Sequence, residues 1–127
     1  TEVYEIHGSV LRNTCLACHA HYGVDVVASA KGVPHCPACG GLIKPDVVLY
    51  EEPLYDDVTE GAVNAISHAE TLIIIGTSLV VYPAASYIRY FRGNNIVLIN
   101  KTKTQMDGIA TLALYEDVTD VVKLLKG

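Results

Sequence analysis

The chain has 127 residues, half of them hydrophobic, which is room for one packed domain with a small inserted module and too apolar for disorder. Its formal charge of −5, with no run of basic residues, offers no positive face to a phosphate backbone and argues against direct nucleic-acid binding. The start, TEVYEIHGSV, lacks the basic-then-apolar pattern of a secretory signal, and the uncharged stretch from Thr71 to Ile88 is broken by Gly-Thr-Ser and Tyr-Pro, so a cytoplasmic protein with no membrane span is expected.

In chain order, residues 1–10 open without Met on what reads as mid-strand, the pattern expected of a piece of a longer protein. His7-Gly8-Ser9 then falls between two elements. The four cysteines follow as two pairs, Cys15-x-x-Cys18 and Cys36-x-x-Cys39, with 17 residues between the pairs. A two-residue gap lets both sulfurs of a knuckle face one ion, and two knuckles close a tetrahedron around Zn²⁺ with no open position, so one structural zinc is expected. Two disulfides or free core thiols are the alternative, and nothing in the chain's start supports oxidation. His19, His21 and His35 read as solvated loop residues, His68 as a surface helix residue, and His7 lies outside the knuckle spacing.

After the knuckles, Val47–Tyr50 reads as a short buried strand. A helix is expected over DDVTEGAVNAISHAE, capped by Asp56 or Asp57, with Val58, Ala62, Ala65 or Ile66, and Ala69 on one face. TLIIIGTS reads as a strand too apolar to be half exposed. PAASYIRYFRG reads as a second helix, with Pro83 in its first turn and Gly93 as its stop. NNIVLINK and TLALYED are further strands, and Asp117 opens a last helix with Val118, Val121, Val122 and Leu125 on one face.

That order predicts an α/β fold: a partial Rossmann-like parallel sheet with helices, plus an inserted four-cysteine zinc-ribbon module. Residues 1–8 and 46–127 are expected to form the Rossmann-like part, and 9–45 the ribbon. Ligands of such sheets bind beyond the carboxyl ends of the strands. Here those ends carry Gly76, Thr77 and Ser78, then Asn100, then Glu116 and Asp117, a set suited to a ribose and a phosphate.

With these residues on the page, the chain resembles the sirtuin family of NAD-dependent protein deacylases, the bacterial type in particular. The resemblance rests on HGS before the first CxxC, the second CxxC followed by GG-x-I-KPDVV, then GTSLVVYPAA, then VLIN. It implies NAD as cofactor, acylated lysines of proteins as substrate, and nicotinamide, 2′-O-acyl-ADP-ribose and deacylated lysine as products. By motif position it implies His7 as catalytic base. Gly76, Thr77, Ser78, Asn100, Asp117 and Val118 become cofactor contacts, Val48, Tyr50 and Val81 the lining of an acyl-lysine tunnel, and Cys15, Cys18, Cys36 and Cys39 the zinc ligands. The backbone after Tyr50 and around Leu79 to Tyr82 is expected to receive a substrate peptide as an added strand.

The chain departs from the family's pattern at Tyr50-Glu51-Glu52, where Phe-Gly-Glu is common. The family's glycine-rich phosphate loop and Gln-Asn-x-Asp motif lie ahead of the HG histidine and are not in these residues, so the parent protein is expected to be active and this piece alone inactive and prone to self-association. The competing expectations are a zinc-ribbon interaction module without chemistry, and mono-ADP-ribosyl transfer in place of deacylation.

Overall fold

The computed structural model describes residues 1–126 of the chain, which divides into two compact units, Thr1–Thr59 and Glu60–Gly127.

The first unit is a three-stranded antiparallel sheet of order β2-β1-β3, built from β1 (Gly8–Cys15), β2 (His21–Gly23) and β3 (Ile43–Val47), with a short helix α1 (Val24–Ala28). Each Cys-x-x-Cys turn reverses the chain: His19 donates its N–H back to the Cys15 carbonyl at 3.0 Å, and Gly40 to that of Cys36 at 2.8 Å. Pro45, which has no N–H to give, is tolerated because β3 is an edge strand. Opposite it β1 bulges, since Ser9 pairs with Asp46 but Asn13 pairs with Pro45. Asn13 is buried within that bulge and its Nδ2 donates to the Val10 carbonyl at 3.2 Å. Gly8 begins β1 at a φ of +73°, and a Cβ there would overlap the Asp46 carbonyl oxygen, so only glycine fits this close strand entry. The pairs Gly8↔Val47 and Ser9↔Asp46 belong to the same antiparallel ladder as the rest of β1 and β3.

The apolar core of this unit is Cys15, Cys36 and Ile43, with Ala20, Tyr22, Val26 and Val27 packed against it. So small a core does not offset the conformational entropy of its loops without a further staple.

The second unit is a three-stranded parallel sheet of order β4-β5-β6, from β4 (Thr71–Ile75), β5 (Asn95–Ile99) and β6 (Leu112–Leu114). The helix α2 (Asp56–His68) precedes β4, a 3-10 helix spans Ala84–Tyr90, another spans Asp107–Ile109, and α3 (Val118–Lys126) ends the described chain. Central β5 carries the deepest residues, Leu98 and Ile99, and Ala62, Ile74 and Val121 are buried with them. The parallel α/β arrangement is therefore as expected.

Several expectations need correcting. Val47–Tyr50 is not a buried strand: β3 stops at Val47 and lies in the antiparallel sheet, because the next residues turn, with Glu52 donating its N–H to the Leu49 carbonyl at 3.1 Å. The β4 run is half exposed after all, Ile74 buried and Ile73 and Ile75 facing outward from a strand at the sheet edge. Neither Asp56 nor Asp57 caps α2; Thr59 donates to the Tyr55 carbonyl, so both carboxylates lie in the first turn, where they complement the helix dipole. On α2, Ile66 rather than Ala65 is the more buried. The second helix is 3-10 and ends at Tyr90, before Gly93. Gly93 answers a different need, since a Cβ there would come within 2.6 Å of the Ala69 and Glu70 carbonyl oxygens. On α3, Val121 is buried but Leu125 is 80% exposed.

Asp117 does cap α3, its Oδ1 accepting the Thr119 N–H at 2.9 Å and hydroxyl at 2.7 Å. Its Oδ2 pairs with Lys101 Nζ at 2.8 Å. Lys101 first, then the Thr119 donors, hold this carboxyl far below its ordinary range. A depressed folded-state pKa contributes stability that is complete above the unfolded carboxylate's pKa of about 3.9 and is lost as pH falls below it. Acid titration of stability should therefore show a loss below about pH 4 that shrinks in Asp117→Asn, which still caps but does not titrate. Identical acid limbs in urea unfolding of the two proteins would contradict this.

Candidate functional site

The four cysteines converge. Their sulfurs all lie within 4.8 Å of one another, with Cys15 Sγ 3.5 Å from Cys39 Sγ and Cys18 Sγ 3.7 Å from Cys36 Sγ. A disulfide needs about 2.05 Å. A tetrahedron with Zn–S arms of about 2.3 Å has edges of about 3.8 Å, so the spacing fits one zinc and not two bridges. Backbone donors support the sulfurs, Cys18 N–H on Cys15 Sγ at 3.5 Å and Gly41 N–H on Cys39 Sγ at 3.4 Å. Gly41 has no space for a side chain, since a Cβ would meet Ala17 Cβ at 2.7 Å and Cys15 Sγ at 3.1 Å.

The electrostatics ask for a cation. Tyr22 donates its hydroxyl to Cys36 Sγ at 2.9 Å, which brings Cys36 down to about 6 and pushes the tyrosine up to about 12. The N–H of Cys18 lowers Cys15 as well. Gly41's N–H favours a Cys39 thiolate too, yet the sulfurs of Cys18, Cys15 and Cys36 outweigh it and push Cys39 up to about 12. Four thiolates crowd one another until a divalent ion sits among them. No histidine joins the set among the described residues. His21 Nδ1 meets Thr14 Oγ1 at 3.1 Å, and His35 Nδ1 meets the Gly40 carbonyl at 3.0 Å, which steadies the second knuckle.

His7 is exposed in the turn that enters β1. Its carbonyl accepts the Val48 N–H at 3.0 Å, so the backbone is fixed while the ring has no hydrogen bond among the described residues, and the His7 and Val48 backbones are brought together. Tyr50 stands fully exposed on the turn that follows. That turn closes twice, since Glu52's carboxylate also accepts the Leu49 N–H at 2.9 Å, with Lys44 Nζ 3.4 Å away. Glu51 sits in it at a φ of +70°, a conformation that suits a glycine and strains a glutamate.

In the second unit the expected cofactor residues line up at the carboxyl ends of adjacent parallel strands. Gly76, at a φ of +61°, donates its N–H to the Ile99 carbonyl at 3.0 Å, and Asn100 donates its own to Leu114 at 3.0 Å. Thr77 Oγ1 accepts the Leu79 N–H at 3.1 Å, while Ser78 is exposed. Val81 is 60% exposed in the loop beyond, and Val118 begins α3 after Asp117. Sequence reasoning missed Tyr22, Lys101, Asp107 and Tyr115; only Lys101, next to Asn100 at a strand end, carried any signal.

The comparisons with known proteins agree with this geometry. The Sir2 family model matches residues 1–83. The NAD-dependent protein deacetylase of Clostridium perfringens is 59% identical over 121 residues, which is 94% of this chain and 50% of that protein. That of Staphylococcus aureus strain Mu50 is 46% identical over 123 residues, covering 97% and 50%. A solved Sir2 structure with a p53 peptide and NAD+ superposes on 98% of this chain and 54% of its own, with a TM-score of 0.86 at 36% identity. A Sir2 bound to an acetylated peptide does so over 98% and 55%, with a TM-score of 0.85 at 34% identity. The chain spans about half the length of the curated relatives it matches. On its sequence and its fold together, the chain belongs to the Sir2 family.

Proposed function

We propose that this chain is the part of an NAD-dependent protein lysine deacylase that supplies the catalytic base, the zinc ribbon and one side of the cofactor site. The observation that carries the proposal is 59% identity, over 94% of the chain, to a protein named NAD-dependent protein deacetylase. The exposed ring of His7, on a backbone held by Gly8 and Val48, supports its assignment as the base.

NAD, when bound, supplies the ribose carbon from which nicotinamide departs and the hydroxyl that takes up the acyl group. Gly76 lets the backbone approach a phosphate or ribose closely, Thr77 and Ser78 offer hydroxyls, and Asn100 offers an amide. Asp117 and Val118 border the same strand ends. His7 takes up the ribose hydroxyl's proton at a ring nitrogen, a task suited to an imidazole because that group titrates near neutrality. Val48, Tyr50 and Val81 line the acyl-lysine, and the segments after Tyr50 and around Val81 receive the peptide backbone. The products are nicotinamide, 2′-O-acyl-ADP-ribose and the free lysine. In this reading residues 9–45 act as a ribbon module and the remainder as cofactor domain.

Because the matched relatives are about twice as long, we assign turnover to a protein of their length and none to this chain alone. Nicotinamide release from an acetylated peptide tests both statements. His7→Ala in the longer protein should lower kcat by at least about a hundredfold with the fold retained, as expected for a general base. The isolated chain should match the no-enzyme control. Unchanged release in His7→Ala removes the base, and release of ADP-ribosylated peptide with no deacylated product would favour transferase chemistry instead.

Cys15, Cys18, Cys36 and Cys39 hold one zinc in this proposal, with a structural role. Structural zinc sites bind with roughly 10–16 kcal/mol at neutral pH, far more than the small core of the first unit supplies. Elemental analysis should find one zinc per chain. Removing it with a strong chelator should erase the amide dispersion of residues 8–47 in an NMR spectrum, and zinc should restore it. Retention of that dispersion without metal would contradict the role.

A further inference from the structure

Two segments leave the carboxyl edge of the parallel sheet, residues 100–107 after β5 and residues 115–117 after β6, and they are tied together twice. Lys101 Nζ meets Asp117 Oδ2 at 2.8 Å. The second tie runs through Asp107. Its Oδ1 accepts the Thr104 N–H at 2.9 Å and the Thr104 hydroxyl at 2.8 Å, and its Oδ2 accepts the Tyr115 hydroxyl at 2.6 Å. The Thr104 bonds alone would close a local turn. The Tyr115 bond does something the turn does not need, because it fastens the loop after β5 to the strand exit of β6.

What lies inside the fastened loop matters. Asn100 donates Nδ2 to the Thr102 carbonyl at 2.9 Å, so its amide is oriented by the loop and its Oδ1 is left as an acceptor with no partner among the described residues. Thr102, Lys103 and Gln105 are exposed and rest on little else. Without a tether, ordering such residues costs backbone entropy, which a ligand would have to offset on binding.

We propose that Asp107 is a positioning residue for nucleotide binding, holding the loop after β5 against Tyr115 so that Asn100 and the Asp117–Val118 turn keep one arrangement before the nucleotide arrives. The proposal rests on the reading of these strand ends as the NAD site. Asp107 touches no reacting atom; it acts through the loop that carries Asn100. The donors are a neutral phenol, a hydroxyl and an amide, all aimed at one carboxylate, and such charge-assisted bonds are the strong ones.

The test is steady-state kinetics in a protein of the relatives' length. Tyr115→Phe deletes one hydroxyl and keeps the ring, and it should raise the KM for NAD about three- to tenfold while kcat stays within about twofold and the peptide KM does not move. Amide exchange should accelerate across residues 101–106, and calorimetric NAD affinity should fall in step with KM. Asp107→Asn, which keeps an acceptor for Thr104 but takes the charge from all three bonds, should raise the KM for NAD at least as far, and it decides the matter should Tyr115→Phe not fold. A lower melting temperature with NAD affinity unchanged identifies a structural bond only and overturns the proposal. Absence of NAD binding by the unsubstituted protein overturns this proposal and the cofactor reading together. NAD binding with an intact Tyr115 effect and undiminished His7→Ala turnover overturns the base and leaves the positioning role standing.

Discussion

Four sulfurs drawn within 4.8 Å of one another are the constraint on which the first unit depends. Its apolar core is two of those cysteines and Ile43, so what packs there is itself the metal cluster. Each knuckle is tied to the sheet: Cys15 ends β1, and Ile43 at the start of β3 donates to the Pro34 carbonyl two residues ahead of Cys36. A fixed cluster fixes the β1–β3 register from Cys15↔Ile43 to Asn13↔Pro45, and past the bulge the same strand pair resumes at Ser9↔Asp46 and Gly8↔Val47, one residue from His7. The ion of such a site would act by keeping a ladder in place. That role follows from the donor set, since four thiolates leave a zinc no open position for a water or a substrate.

The second unit reaches the same end by other means. Its parallel register places Gly76 and Asn100 at the ends of neighbouring strands, the residues after Ile75 and Ile99, and Lys101 then reaches Asp117 three residues beyond β6; β5 at the centre is the most buried strand. Polar ties then hold the exits of β5 and β6: Lys101 to Asp117, and Asp107 to Tyr115 and Thr104. In the proposed reading, strand exits held in this way would meet a nucleotide with their loops already ordered.

Much of this was legible in the residues. Paired CxxC spacing foretold the cluster, and apolar runs ending in GTS, Asn and Glu-Asp foretold a parallel sheet with polar strand ends. What escaped was set by partners far along the chain. Nothing local says that Pro45 and Asp46 pair across a bulge with Asn13 and Ser9, so VVLY looked like a strand when the ladder had already ended at Val47. Uniform apolarity in TLIII says nothing of which face a neighbour covers, and Ile73 and Ile75 are exposed. Tyr22 on Cys36 and Tyr115 on Asp107 are tertiary hydrogen bonds with no sequence spacing to announce them. Glu51 was a visible departure from the resembled pattern, and the left-handed backbone there is one that suits the glycine of that pattern.

A sulfur-bound ion of closed coordination is proposed to scaffold the strand entry at which His7 stands. Zinc X-ray absorption on the purified chain addresses it directly. The expected spectrum is a single shell of four sulfur scatterers at about 2.3 Å with no nitrogen or oxygen neighbour. A shell containing imidazole nitrogen or water oxygen, or cysteines found oxidised to each other, would contradict it.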